Sequence, residues 1–289
     1  MDKVRFFGNS SASPSKSNST AIGQHPSSNT ILPKLSVTWP AEGQAALMIN
    51  GSVYGEYGER TPVPTASLAK IMTAFIVLQK YPLSQGQDGP SYTVTSQDVE
   101  LYRREMNEDD SVVKVVVGET LTERQMLQAL LLPSGDNVAI MLAQWSLGSV
   151  PAFVDQMNIE AERLGMKHTN YADPAGISRD SVSTALDQLK VASAAMSLSA
   201  FRDIVNQGDV RFPVAGNIRN TNSDLGQDGI IGLKTGNLTH IGNIAIAANR
   251  VVNNRHVLII AVVLGQYGRN DVDSLNNALA AGKRLVESV

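Results

Sequence analysis

Apolar residues run almost without interruption through two parts of the chain, one near the start and one near the end. Three runs in the last third, at 230–236, 241–248 and 257–264, are separated by short turns. A run at 44–55 carries Asn50-Gly51 at its centre, which is a strong signal for a two-residue hairpin. Adjacent apolar strands joined by short turns predict an antiparallel sheet with a covered face.

Between these strands the apolar positions recur at helical spacing. One stripe (Leu68, Ile71, Met72, Phe75 and Leu78) predicts a core helix that begins near Thr65 or Ala66, with Thr65 as a candidate cap. Further helices are predicted at 122–132, where the first residues have capping-box spacing, and at 138–145, 151–164 and 184–196. A closing helix is predicted at 271–286.

The remaining segments are polar or short. Residues 1–37 are rich in Ser, Asn, Thr and Pro and predict a flexible tail, whereas 38–289 form the folded domain. The charged stretch 97–111 predicts a solvated surface segment, and the β-branched run 112–117 predicts a strand or an extended edge. The whole order predicts an α+β fold: an antiparallel β-sheet covered by helices, plus a mainly helical lobe, with a cleft between them.

Composition excludes several classes of site. The 289 residues include no cysteine, which excludes disulfides, a thiol nucleophile and thiolate metal ligands. Four scattered histidines lack metal-ligand spacing, so we expect no metal and no cofactor. A net charge of −3 without a basic block argues against a nucleic-acid partner. No stretch is apolar for the roughly 18 residues that a membrane span requires, and the N-terminus lacks the apolar centre of a signal peptide.

One polar pair stands at the start of the predicted core helix. Ser67 lies in its first turn, and Lys70, three residues on, lies over the same face. A hydroxyl beside an amine at a helix N-terminus forms a plausible nucleophile and base. The spacing alone is weak, because Ser13 and Lys16 repeat it by chance in the tail.

Two more polar stretches end regular elements: Ser134-Gly-Asp-Asn137 and Lys234-Thr-Gly236. With Ser67-x-x-Lys70 they resemble, in order and separation, the motifs of the penicillin-recognising serine enzymes. The flanks at 64–74 and 130–139 most resemble the D-alanyl-D-alanine carboxypeptidases of low molecular mass, and the similarity covers about residues 40–287.

This resemblance implies a role for each motif residue. Ser67 attacks the substrate carbonyl and Lys70 takes its proton, which requires a Lys70 pKa well below the free value of about 10.4. Burial and Lys234, as a second cation, are expected to lower it. Ser134 bridges the lysines and relays a proton to the leaving D-alanine. Taken singly, Ser134 is better interpreted as a helix cap and Lys234 as an edge-strand lysine, whereas the three motifs together favour the catalytic roles.

Contacts to the substrate are also implied. The backbone N–H groups of Ser67 and Asn237 are expected to form the oxyanion hole, and Thr235 and Gly236 to border the substrate carboxylate. Arg269 is a candidate second contact to that carboxylate, or a surface arginine. The family's second motif usually has asparagine where this chain has Asp136. Either Asn137 replaces that substrate contact, or Asp136 serves another partner such as Lys70.

The resemblance implies a serine D-alanyl-D-alanine carboxypeptidase that acts on peptidoglycan stem peptides through an acyl-enzyme and is inhibited by β-lactams. A serine β-lactamase remains an alternative, as does a non-catalytic peptidoglycan-binding or β-lactam-sensing module. We expect an extracytoplasmic location, with membrane attachment only through an N-terminal tether that this chain does not show.

Overall fold

Strands and helices together form one folded unit, Leu35–Val289. The structure is a computed structural model that describes residues 35–108 and 110–289, so the predicted tail at 1–37 lies outside it except for its last three positions. The strands are β1 (Gln44–Ile49), β2 (Ser52–Tyr57), β3 (Val63–Pro64), β4 (Ser91–Thr93), β5 (Thr120–Thr122), β6 (Val182–Ser183), β7 (Asp209–Phe212), β8 (Gly216–Arg219), β9 (Ile230–Leu238), β10 (Ile241–Val252) and β11 (Arg255–Tyr267). The helices are α1 (Ala69–Lys80), α2 (Ser96–Asn107), α3 (Glu123–Leu131), α4 (Asp136–Leu147), α5 (Val150–Arg163), α6 (Ala185–Ser197), α7 (Ser199–Val205) and α8 (Asp271–Glu287).

Five strands make the main sheet, in the order β2-β1-β11-β10-β9. Every neighbouring pair is antiparallel. The predicted hairpin at Asn50-Gly51 is confirmed: both residues have positive φ, as a tight turn between β1 and β2 requires. The β9–β10 and β10–β11 hairpins are likewise confirmed, which places β9 and its Lys-Thr-Gly motif at an edge of the sheet.

Both faces of this sheet are buried along most of β1 and β11, whereas the edge strand β2 is largely exposed. Alternate side chains such as Ala46 and Met48 join the cluster formed with α1, α3, α4 and α6. The other face packs against α8, where a side chain at Gly282 would meet Ile244 at 2.8 Å. Two covered faces explain the continuous apolar runs, and the predicted α+β fold with a helical lobe is confirmed.

Three segments differ from the prediction. The stretch predicted as solvated, 97–111, contains α2, whose Asp98 and Glu105 are buried. Residues 112–117 form no strand; within this run the Val113 N–H and carbonyl bond to the Asn137 side chain of α4 rather than to another strand. Thr65 does not cap a helix, since its hydroxyl donates to the Ser181 carbonyl at 3.1 Å.

The length and hydropathy of a helix decide whether it could span a membrane. Within the described residues, no single helix is long and apolar enough to cross a membrane, although α4 and α5, bent by 87°, reach that threshold as a pair.

Candidate active site

Ser67 lies on a tight turn between the sheet and α1. Pro64 holds the approach extended, a 3₁₀ turn spans Ala66–Leu68, and α1 begins at Ala69. Ala66 takes a φ of +48°, a left-handed conformation that costs energy for a residue with a side chain. Gly176 packs against this turn so closely that a Cβ there would lie 1.9 Å from the Ala66 carbonyl oxygen. The turn is therefore held in place from outside.

Lys70 is completely buried one helical turn beyond Ser67. Its ammonium donates to the Ser67 hydroxyl at 2.8 Å, to Asp136 Oδ1 at 2.6 Å and to the Ala175 carbonyl at 3.0 Å. Three acceptors match the three donors of an ammonium group. The structure therefore brings the predicted pair together and adds a carboxylate as its partner.

Asp136 connects Lys70 to the chain that follows α2. Its Oδ1 accepts from Lys70, its Oδ2 accepts from the Ser111 backbone N–H at 2.9 Å, and its own N–H donates to the Ser111 carbonyl at 2.6 Å. Both carboxylate oxygens thus have partners inside the protein. Of the two alternatives for the altered second motif, the structure favours the one in which Asp136 serves Lys70.

Asn137 takes no part in the cleft, which corrects its interpretation as a substrate contact. The residue is fully buried, and its amide accepts from the Val113 N–H and donates to the Val113 carbonyl, both at 2.9 Å. One position along a helix turns the side chain by about 100°. Asn137 therefore points at the segment after α2 while Asp136 points at Lys70.

Ser134 and Lys234 are the most unusual polar groups of the site. Ser134 has a φ of +70°, is 5% exposed, and its hydroxyl has no hydrogen-bond partner among the described residues. Lys234 is 1% exposed and donates to the Thr235 carbonyl at 3.0 Å.

Burial is the largest cause that lowers the pKa of Lys234 well below its usual value, and the Lys70 charge lowers it further, while Asp136 opposes this. The sequence predicts Lys234 as the charged group and Lys70 as the neutral one. Burial works against the expected charge of Lys234, whose ammonium donates, among the described residues, to the Thr235 carbonyl.

Strand β9 borders the nucleophile turn. A Cβ at Gly236 would meet Leu68 at 2.8 Å and the Thr65 carbonyl at 3.2 Å, so β9 lies directly against this turn. The Thr235 hydroxyl bonds to the Thr221 hydroxyl at 2.6 Å. The side chain of Asn237 turns towards α8, where it donates to the Asp271 carbonyl at 2.7 Å, which leaves only its backbone for the cleft.

Arg269 lies apart from the motif residues. Its side chain is 90% exposed and its Nε donates to Asp273 in the first turn of α8 at 2.6 Å. Its hydrogen bonds among the described residues include none to Ser67, Lys70, Ser134 or Lys234. Of its two interpretations, the surface arginine fits this geometry.

Two residues that support the site are not predicted from the sequence. Asp173 accepts from the Ala175 and Ser178 N–H groups and from the Ser181 hydroxyl, and so holds the loop whose carbonyl receives Lys70. Asn243, fully buried in β10, donates to the Pro64 and Thr65 carbonyls at 3.0 and 3.1 Å. For Asn243 the sequence does contain a signal, an asparagine that stands alone in an apolar strand, because buried polar residues need a hydrogen-bond partner.

Acidic and histidine side chains do not gather into a metal site. Across 35–108 and 110–289 no group of three or more His, Asp or Glu residues is placed to hold a metal ion.

Comparisons with known proteins agree with this geometry. The family model of the D-alanyl-D-alanine carboxypeptidases, peptidase family S11, matches residues 43–268. A D-alanyl-D-alanine endopeptidase of Pseudomonas aeruginosa is 40% identical over 134 residues, which is 45% of this chain and 40% of that protein. A D-alanyl-D-alanine endopeptidase of Escherichia coli is 29% identical over 232 residues, covering 76% of this chain and 70% of the relative.

Solved structures show the same fold. The crystal structure of a Streptomyces DD-transpeptidase superimposes with a TM-score of 0.73 and 25% identity, covering 87% of this chain and 98% of that one. A family match over most of the chain, together with this fold, confirms the resemblance inferred from the motifs. The chain belongs to the D-alanyl-D-alanine carboxypeptidase family of serine peptidases.

Proposed function

We propose that this protein removes the terminal D-alanine from peptidoglycan stem peptides through an acyl-enzyme on Ser67. The observation that carries the proposal is the partly buried contact of 2.8 Å between the Ser67 hydroxyl and Lys70 Nζ, with Ser134 and Lys234 in the same polar site. Family membership supports this choice of substrate.

Each chemical step can be assigned to a residue of the site. The Ser67 oxygen attacks the carbonyl carbon of the penultimate D-alanine while its proton passes to the Lys70 amine. The bond to the terminal D-alanine then breaks, and the departing amine takes a proton through the Ser134 hydroxyl, which has no hydrogen-bond partner among residues 35–108 and 110–289. Water hydrolyses the ester and restores Ser67. The proton that Lys70 took from Ser67 replaces the one that Ser134 gives up, so that it is in effect delivered to the departing amine, and Lys234, whose pKa is lowered by burial, is the second lysine of this site.

The test is intact mass after incubation with penicillin, with Ser67→Ala as the matched control. We expect a long-lived adduct of one penicillin on the unmodified protein and none on the variant. Rapid turnover of penicillin instead would support a β-lactamase. Adduct formation without release of D-alanine from a diacyl-D-Ala-D-Ala peptide would support the β-lactam-sensing module, and no adduct at all would refute Ser67 as nucleophile.

A second candidate activity is cleavage of D-alanyl cross-links between stem peptides. Two relatives named D-alanyl-D-alanine endopeptidase favour it. Purified cross-linked muropeptide dimers and monomeric pentapeptides, offered in competition, measure the preference directly. Cleavage of dimers alone would replace the carboxypeptidase proposal by the endopeptidase one.

We propose the cell envelope as the location of the protein, because the proposed peptidoglycan substrate lies outside the cytoplasm. Fractionation of cells that produce the protein, followed by labelling with a fluorescent penicillin that does not enter the cytoplasm, tests this. Labelling only after lysis would contradict it.

A further inference from the structure

A second buried acid lies beside the Lys70–Asp136 pair, and the proposed reaction does not use it. Glu105 is in the last turn of α2 and is only 5% exposed. Its Oε2 is buried with no hydrogen-bond partner among the described residues. Such an oxygen is costly to bury as a carboxylate, so its presence requires an explanation.

The backbone connects Glu105 directly to the site. Its carbonyl accepts from the N–H groups of Glu108 and Asp110, both at 3.1 Å, and this ends α2. The next residue, Ser111, makes both backbone bonds to Asp136, which is the partner of Lys70. The last turn of α2 is therefore fixed to the residue that bonds Lys70.

The charges around Glu105 do not balance when all the acids are ionised. From α4 it faces Asp136, from the following loop Asp110, from α1 Lys70 and from its own helix Arg104. Asp136 already has Lys70 as its cation at 2.6 Å, and Arg104 is exposed. A further carboxylate in this place has no buried cation of its own.

Burial raises the pKa of Glu105 to about 7, and the Asp136 and Asp110 carboxylates add to the effect, while Arg104 and Lys70 oppose it. The pKa of Asp110 is raised as well, first by burial and then by Asp136 and Glu108. Glu105 thus changes charge in the neutral range, at a position where its charge acts on Asp136 and on Lys70.

We propose that Glu105 is a positioning residue that controls, through its charge beside Asp136, whether Lys70 keeps its proton. With Glu105 neutral, Lys70 keeps its hydrogen-bonded partner Asp136 and is near one negative charge fewer. With Glu105 ionised, a second negative charge favours the Lys70 ammonium, which cannot take the Ser67 proton. The inference rests on the proposed acyl-transfer function and adds a pH response to it.

The first test is the pH profile of acylation. Second-order rate constants with a fluorescent penicillin are measured from pH 5 to 10 for the unmodified protein and for Glu105→Gln. Because the amide stays neutral at every pH, we expect the alkaline rise of the variant to begin about one pH unit lower. Glu100→Gln, an exposed glutamate on the same helix, is the matched control and should keep the original profile.

A merely structural role of Glu105 would give a different result. It would lower the rate of Glu105→Gln by the same factor at every pH and leave the midpoint in place, which overturns the proposal. Should this variant unfold, Asp110→Asn replaces it, since Asp110 lies in the same group of acids and is less buried. A shift in the same direction, smaller than one unit, is expected; an unchanged midpoint counts against the proposal.

A second measurement needs no catalysis. Lysines labelled with ¹³C at Cε are titrated by NMR, and the Lys70 signal is identified by its loss in Lys70→Arg. We expect the Lys70 midpoint in Glu105→Gln to fall below that of the unmodified protein. If no penicillin adduct forms at all, the proposed function fails while this titration still decides the role of Glu105; equal midpoints refute that role.

Discussion

At the scale of single residues, the buried acids determine how the protein responds to pH. Glu123, in the first turn of α3, is fully buried and neither of its carboxylate oxygens has a hydrogen-bond partner in the described structure. The turn at Gly89 lies over it, since a Cβ there would be 2.5 Å from Glu123 Oε2. Burial raises its pKa to about 8, against an ordinary value of 4.5. The folded protein therefore holds a proton that the unfolded chain releases.

Replacement of Glu123 by glutamine should flatten the dependence of stability on pH. Because the pKa is higher in the folded state, the free energy of unfolding is greatest below about pH 4.5 and falls as the pH rises to about 8. We expect the difference in unfolding free energy between pH 5 and pH 9 to shrink by about 4 kcal/mol in Glu123→Gln. Urea titrations at the two pH values measure it. Glu162→Gln, at an exposed position, should leave the difference unchanged, and a Glu123→Gln protein with the original slope would contradict the prediction.

Asp136 should contribute to stability as well as to the site. Asp136→Asn keeps the shape but removes the counter-ion of Lys70, and its amide nitrogen faces either Lys70 or the Ser111 N–H, both of which are donors. Loss of one partner from a buried pair costs about 3 kcal/mol, which denaturant unfolding would detect. Glu56→Gln breaks the exposed pair with Arg60 and should have little effect. Equal losses in the two variants would show that the Lys70–Asp136 pair adds no stability.

At the scale of elements, the segment after α2 depends on α4 for its position. Ser111 is bonded to Asp136 and Val113 to Asn137, while Val116 and Val117 are exposed. We expect Asn137→Ala to lose about 2 kcal/mol, because it leaves the Val113 N–H and carbonyl without partners. Hydrogen exchange of peptides covering 110–117 should accelerate. Asn137→Asp keeps the acceptor for the Val113 N–H and loses only the donor, so its exchange should be intermediate; an unchanged rate in both variants would refute this role.

The same elements show what the sequence predicts and what it does not. The apolar pattern and the turn residues predict the β1–β2 hairpin, β9 to β11, and the caps of α3 and α6. Each of these features depends on residues that are close together in the sequence. Helix α2 was missed because Asp98 and Glu105 occupy inward positions, so that the apolar period is broken by buried acids. The run 112–117 was predicted as a strand or an extended edge, yet a strand needs a partner strand, and Asn137 takes its place. Within the site, the motifs predict which residues meet, whereas the pairing of Asp136 depends on a segment 25 residues away.

At the scale of the folded unit, the site depends on contacts between distant parts of the chain. Asn243 at the β10 irregularity bonds to the residues before Ser67 and accepts from the Gly265 N–H of β11, so the sheet itself positions the nucleophile turn. Gly242 and Gly268 pack against Ser274 of α8 so closely that a Cβ at either would lie within 2.2 Å of its backbone. Long-range contacts of this kind are not visible in local sequence patterns, which explains why the support of the site was found only in the structure.

The start of the folded unit also contacts its end, and truncation measures how much this contributes. Leu35 exchanges hydrogen bonds with the Tyr54 hydroxyl, the Thr38 N–H donates to Ser288 Oγ at 3.0 Å, and Trp39 stacks on Tyr57 with ring centres 6.3 Å apart. Removal of residues 1–34 deletes none of these contacts and should leave the melting temperature and the rate of acylation by penicillin unchanged. Removal of 1–39 deletes all of them, and we expect a loss of about 2 kcal/mol in unfolding free energy. The nucleophile turn keeps its own contacts in both proteins, so acylation below the melting temperature should proceed at the same rate. A loss of stability in the shorter truncation would place the boundary of the domain before residue 35, and equal stability of the two would show that 35–39 contribute nothing to the fold.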